Sequence, residues 1–502
     1  MTANPSIDPV VATEAGEVRG RAADGTVAFK GVPFAAPPYG PNRLQPPQPV
    51  EPWEGVRDAL DFGPKSPQPG YPPEVSLILP ELVGAGDDCL TLNVWTPDPS
   101  ADGRPVLVWL AGGMFEYHGT GASPWYDGRA FARDGVVCVT VNYRVGADGF
   151  LFLDDGVANL GLLDQVAALE WVRDNIAAFG GSPENVTLFG ESAGAMCVAT
   201  LLSMPRAEGL FGRAVAESGA AHNVAAPETA QRIARELATR LGVEATREAI
   251  APVPVDEVLA AQEALRADLM ADPDPDRWGP EAVATGLPWQ PVVDGDVLPG
   301  PPLDRIAAGA GADVDLLVGT NTDEHRLFLV SGGAIDGVTE EALVGAIAGY
   351  GLPVDDALAT YRERYPDAGP GDLLAAIQTD WYWRLPAVRL AEAHAPQSGT
   401  TAMYEFAWPS PAFDGRLGAC HAIEIPFVFD TLGRDTEGLW GPDPPQTLAD
   451  EVHAAWVRFA TDGAVDWSGY GLDRRATRHF DTPSSVVDDP LAVERALWNG
   501  VR

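Results

Sequence analysis

Apolar and polar positions change rhythm along this chain. Near the start, residues 10–13, 17–19 and 27–32 alternate short strand-like runs with turns, which predicts a small antiparallel edge sheet. Residues 33–52 are rich in proline, whose fixed φ and missing N–H exclude helix and central strand, so an ordered surface arm is expected. From residue 92 onward the pattern becomes continuous apolar runs at 105–110, 136–141, 186–189, 213–216, 314–318 and 402–406. Runs without alternation are what parallel strands buried on both faces require. Between the second and third runs, Leu162, Val166, Leu169, Val172 and Ile176 recur at three- and four-residue steps and a glycine pair follows, which predicts one amphipathic helix. Strand alternating with helix predicts an α/β fold, a mostly parallel sheet with right-handed crossovers and helices on both faces. Two helical regions rich in Ala and Glu, roughly 225–300 and 335–400, interrupt the alternation and are read as insertions that roof the site. No internal repeat appears, so residues 1–502 are expected to form a single unit.

Composition narrows the partners. Apolar residues make up 46% of the 502 and charged residues 21%, the balance of a chain with a large core. A net charge of −39 repels nucleic acid and anionic membrane surfaces, so neither is expected as a partner and a neutral small molecule is. The first twenty residues lack a basic, apolar leader and no run is long enough to span a membrane, which predicts a cytoplasmic protein, with a monomer favoured. Cys89, Cys138, Cys197 and Cys420 lie far apart, in neither a zinc-site nor a disulfide-framework spacing, so reduced thiols are expected and no metal or cofactor is implied.

The chemistry starts at Gly190-Glu191-Ser192-Ala193-Gly194, which follows the apolar run 186–189 and precedes the small-residue stretch Ala195-Met196-Cys197-Val198-Ala199. Strand, sharp turn, helix is the setting in which a serine hydroxyl is presented at a sheet's carboxyl edge, with glycines where side chains would clash. The helix start behind it offers the Ala193 N–H and a positive dipole end to a developing oxyanion. Five residues of this pattern are weak evidence alone in a chain with 54 glycines, and the flanking strand and helix give them weight.

At this point the chain resembles the type-B carboxylesterase family of the α/β-hydrolase fold over nearly its whole length. The resemblance is carried by Phe29-Lys-Gly-Val-Pro-Phe-Ala-Ala-Pro-Pro38, Asp87-Asp-Cys-Leu-Thr-Leu-Asn-Val94, Val141-Asn-Tyr-Arg144, Asn159-Leu-Gly-Leu-Leu-Asp-Gln165, the stretch Phe179 to Ala195, and Ala455-Trp-Val-Arg-Phe-Ala460. It implies a triad in the order Ser192, Glu324, His421, with His421 as base and Glu324 as the acid that orients it. Asp323 stands next to Glu324 and is the competing acid. Glu191 and Ser218 match positions that support the triad through hydrogen bonds in relatives. An ordinary imidazole base implies activity lost on acidification, with a midpoint between about 5 and 7.

Two departures qualify the resemblance. The loop Trp109-Leu-Ala-Gly-Gly-Met-Phe115 has Ala111 where the family has His or Tyr and Met114 where it has Gly or Ala. The expected oxyanion donors are the backbone N–H groups of Gly113, Met114 and Ala193, with the Met114 side chain narrowing the adjoining pocket. Ser66 stands where exported relatives carry a cysteine that bridges to the one matching Cys89, which accords with an intracellular address. The 66–89 loop also lacks the tryptophan on which cholinesterases hold choline, so choline esters are not the expected substrates. The function implied is hydrolysis of uncharged short-chain or aromatic carboxylic esters through an acyl-enzyme. A binding module of the same fold would have lost the nucleophile, which is kept here. An interfacial lipase would show a long exposed apolar helix over the site.

Overall fold

The computed structural model describes residues 8–71 and 81–501; the extreme amino terminus and part of the 66–89 loop, on which two of the expectations above fall, lie outside the described residues. All six apolar runs form strands of one eleven-stranded sheet. Its central members run parallel in the order Ala476–Phe480, Thr401–Phe406, Asp315–Asn321, Arg213–Glu217, Gly181–Glu191, Arg104–Leu110 and Val137–Val141. Thr91–Thr96, Thr26–Pro33 and Arg21–Ala23 extend it antiparallel on one side and Ser485–Asp488 on the other.

Period-two alternation divides the strand side chains between two cores. Val106, Val108 and Leu110 join one apolar cluster, while Leu107 and Trp109 join the other. The first is covered by Leu160–Asn175 and Ala193–Leu202, the second by Gln446–Asp462. The five periodic residues of the predicted helix are all buried in the first core, four within Leu160–Asn175 and Ile176 in the 3-10 turn that continues it.

The edge sheet differs from expectation. Val10–Ala12 pairs antiparallel with Glu17–Arg19, but the third strand is Val56–Asp58, and it pairs parallel. Residues 27–32 belong instead to the main sheet, because the fully buried strand Thr91–Thr96 needs a neighbour on its open side and Val27, Phe29 and Val32 complete the core there. Both interrupting regions are helical, from Pro227–Leu241 to Pro280–Thr285 and from Glu340–Gly349 to Leu385–His394; Leu343, Ile347, Tyr361 and Leu373 of the second form a separate apolar cluster that Trp498, after the helix Ala492–Leu497, completes. Among the described residues no single helix is long and apolar enough to cross a membrane.

Arg104–Leu110 has the next strand in sequence, Val137–Val141, on one side and the one after, Gly181–Glu191, on the other. The order of the sheet therefore reverses at the carboxyl ends of Arg104–Leu110 and Gly181–Glu191, which is where open α/β sheets leave a crevice for ligands. A buried ion pair braces this region. The Arg144 guanidinium donates to both Asp164 carboxylate oxygens at 2.8 and 2.7 Å and to the Gln45 carbonyl of the proline-rich arm at 2.8 Å. Removing one partner of a buried pair strands the other charge, so Asp164→Ala is expected to lower unfolding stability by about 3–5 kcal/mol. Arg19→Ala, whose pair with Asp58 is exposed, should cost at most about 1 kcal/mol. Denaturant titration of both variants checks the contrast, and equal losses would contradict it.

Candidate active site

Ser192 follows directly on Gly181–Glu191 and precedes the helix Ala193–Leu202, at φ 57° and ψ −125°. This is strained backbone for a residue with a Cβ. Its N–H donates to the Glu217 carbonyl at 2.9 Å and its carbonyl accepts from the Met196 N–H at 2.9 Å, so strand and helix hold the turn from both sides. A Cβ on Gly190 would lie 2.6 Å, and one on Gly194 2.0 Å, from the Leu110 carbonyl oxygen. Glycine is required at both because the neighbouring strand end passes through the space a side chain would fill.

Glu324 and His421 come from loops beyond the ends of Asp315–Asn321 and Thr401–Phe406. The His421 ring Nδ1 lies 2.7 Å from Glu324 Oε2, and the His421 backbone N–H donates to the Glu324 carbonyl at 3.2 Å. Glu324 Oε1 is fixed by the Asn321 N–H at 2.8 Å. Asp323 turns the other way: it accepts from the Ala419 N–H at 3.2 Å and pairs with Arg326 at 3.3 Å. Of the two acids, only Glu324 is hydrogen-bonded to the imidazole.

The second ring nitrogen, Nε2, lies 3.1 Å from Glu191 Oε1, although the geometry is not that of a hydrogen bond. Burial opposes a charge on His421, but the pull of Glu191 and Glu324 exceeds it and raises the imidazole to about 9. Burial also drives Glu191 up, to about 8, against the attraction of His421 and with the repulsion of Glu424 and Glu324 behind it. Imidazole and carboxyl are thus both raised above their ordinary values, and the two titrate as a unit. Three histidines line the cavities at Ser192, and the other two stay neutral: burial depresses His118 to about 4 and His325 to about 3.

Ser218 is fully buried, and its hydroxyl donates to Glu424 Oε1 at 3.2 Å. It thus reaches Glu324 through Glu424 and Asn321, whose side-chain amide donates to Glu424 Oε2 at 2.6 Å. Sequence reasoning missed Glu424 and Glu217. The first is three residues after His421. The second heads Glu217-Ser218, which repeats the Glu-Ser pair of Glu191-Ser192 on the adjacent strand, the one signal that could have marked it. It also missed Trp383 and Phe328, whose rings lie 4.2 and 5.4 Å from the His421 ring. Trp383 is carried by a π-helical turn, Asp380–Arg384, inside the second roofing region.

Gly112 to His118 form the loop above Ser192, with Met114 at φ 59° and Gly113 at φ 117°. Among the described residues the N–H groups of Gly113, Met114 and Ala193 donate to no other protein group. Two chambers meet at Ser192. The smaller, about 260 Å³, contains Gly113, His421, Glu191 and Tyr126; the larger, about 740 Å³, lies under the roof against Ala193, Leu287, Phe328 and Trp383. Met114 lines both, so its side chain stands at their junction. All four cysteines are free and buried, and the buried Ser66 hydroxyl pairs with the Tyr39 hydroxyl at 3.3 Å.

The chain has counterparts among known proteins. The sequence model of the carboxylesterase family matches residues 7–469. A para-nitrobenzyl esterase of Bacillus subtilis (strain 168) is 38% identical over 507 residues, covering 97% of each chain. A phenmedipham hydrolase of Pseudarthrobacter oxydans is 34% identical, again over 97% of each. The crystal structure of a carboxylesterase of Geobacillus stearothermophilus superposes with a TM-score of 0.84 at 37% identity, covering 97% of this chain and 99% of that one. Sequence and fold are thus shared with esterases throughout the chain's length, and the chain belongs to the carboxylesterase family of carboxylic ester hydrolases.

Proposed function

We propose that Ser192 is the nucleophile, His421 the general base and Glu324 the orienting acid of an esterase acting on uncharged short-chain or aromatic carboxylic esters. The observation that carries this reading is the buried 2.7 Å contact between His421 and Glu324, opening onto the chamber that contains Ser192. With its Nδ1 proton directed at Glu324, the ring offers Nε2 as acceptor for the hydroxyl proton. Ser192 Oγ attacks the ester carbonyl as its proton passes to Nε2. The charge on the carbonyl oxygen falls to the N–H groups of Gly113, Met114 and Ala193. Collapse returns the proton from His421 to the leaving alcohol, and water activated by the same nitrogen then hydrolyses the acyl-serine. Glu191 and Ser218 act as supports, the first through the charge it sets on the imidazole, the second through Glu424 and Asn321. Apolar, aromatic chamber walls and the chain's net negative charge favour uncharged esters.

A fluorophosphonate should add one label, at Ser192, and abolish turnover of a nitrophenyl ester. Peptide mapping decides: complete inactivation with the label on another residue would refute the assignment.

The carboxylates move the pH expectation upward from that of a free imidazole. Because the folded-state pKa of His421 is raised, its charged, inactive form persists to higher pH and the base appears as pH rises through that value. The acid limb of kcat/KM should therefore have its midpoint above about 6.5. Glu191→Gln removes the largest of the three attracting charges, those of Glu191, Glu324 and Glu424, and should bring the midpoint down by about one unit or more. A wild-type midpoint below that of a free imidazole, unmoved in Glu191→Gln, would contradict the reading.

A further inference from the structure

Among the described residues that line the two chambers, Arg266 is the one lysine or arginine. It projects from the helix Val255–Ala271 of the first roofing region and reaches across to the loop above Ser192. There Nη1 donates to Glu116 Oε2 at 2.7 Å, and the guanidinium lies 5.6 Å from the centre of the Tyr117 ring. Among the described residues Nη2 meets only the thioether of Met114, with Sδ at 3.7 Å. A guanidinium carries five donors and a thioether is a weak acceptor on a flexible stem. One edge of the cation thus faces the chamber junction against a partner that a better acceptor would displace.

Resting on the esterase reading above, we propose that Arg266 is a specificity-determining residue that selects esters carrying a second, uncharged hydrogen-bond acceptor, such as a keto, amide or carbamate oxygen. The pairing with Glu116, which is 1% exposed, decides between neutral and anionic acceptors. Arg266 and Glu116 together are electrically neutral, so a substrate carboxylate at Nη2 would bring like charges together beside a buried acid. A carbonyl oxygen takes the same donor without that repulsion. The substrate acceptor replaces the Met114 sulfur at Nη2 while Nη1 keeps its bond to Glu116, so the roof remains tied to the loop.

The test compares kcat/KM for ethyl 4-oxopentanoate, ethyl pentanoate and monoethyl succinate, whose acyl groups match in length, a carboxylate oxygen of succinate standing where the other two have a terminal methyl, and which carry a ketone, no acceptor or a carboxylate. In Arg266→Met the ratio of the ketone ester to the plain ester should fall about tenfold, the loss of a hydrogen bond to a charged donor. In Glu116→Gln, which frees the guanidinium from its competing carboxylate, the ratio should rise; this variant decides the matter should Arg266→Met fail to fold. The wild type should hydrolyse monoethyl succinate more slowly than the ketone ester. Turnover of ethyl pentanoate with the ratio unmoved in the variants, or a preference for the succinate, overturns this inference and leaves the esterase reading standing. Failure of the wild type to hydrolyse either uncharged ester overturns both.

Discussion

His421 is buried between two carboxylates, Glu324 at 2.7 Å from one ring nitrogen and Glu191 at 3.1 Å from the other. Burying an imidazole that must gain and lose a proton is costly unless both states find partners, and the rest of the site can be understood as the supply of those partners. Glu324 receives the Asn321 N–H, Asn321 bridges to Glu424, and Glu424 accepts from Ser218. Glu217 takes the indole N–H of Trp456 at 2.7 Å. Asn321, Glu324, Glu217 and Ser218 lie at or just past carboxyl ends of the parallel sheet, and Trp456 reaches them from the helix Gln446–Asp462.

That concentration of carboxyls limits the charge the site can carry. Glu217 and Glu424 are both pushed upward by burial and by their acidic neighbours, Glu424 to about 7. The stacked rings of Trp383 and Phe328 close the remaining side of His421 and tie the second roofing region to the chemistry. The first roofing region makes its own connection through Arg266 and the loop that bears Met114. Both insertions therefore reach the site, one at His421 and one at the chambers beside Ser192.

Much of this was legible from the sequence because the determinants are local. Continuous apolar runs gave six strands, and Gly190 and Gly194 marked a turn whose crowding by Leu110 the structure displays. The triad order needed the family resemblance, since nothing in the residues alone separates Glu324 from Asp323; their directions are set by loop geometry and by the salt bridge to Arg326. What stayed hidden depends on long-range contact. Residues 27–32 have the period of an edge strand, and only the need to cover Thr91–Thr96 places them in the main sheet. Trp383 and Arg266 sit in helical stretches where an aromatic or a charge is ordinary, and their meaning comes from the loops they reach.

The central claim is that Glu324, and not its neighbour, sets the state of His421. Paired variants, Glu324→Gln and Asp323→Asn, measured for kcat at neutral pH on one uncharged ester, test it directly. The amide keeps the shape of the side chain but removes its charge and offers Nδ1 a donor, so the ring takes the wrong tautomer. Glu324→Gln should lower kcat by about 10³–10⁴-fold, while Asp323→Asn should leave it near wild type. Retained activity in Glu324→Gln, or a comparable loss in Asp323→Asn, would contradict the account.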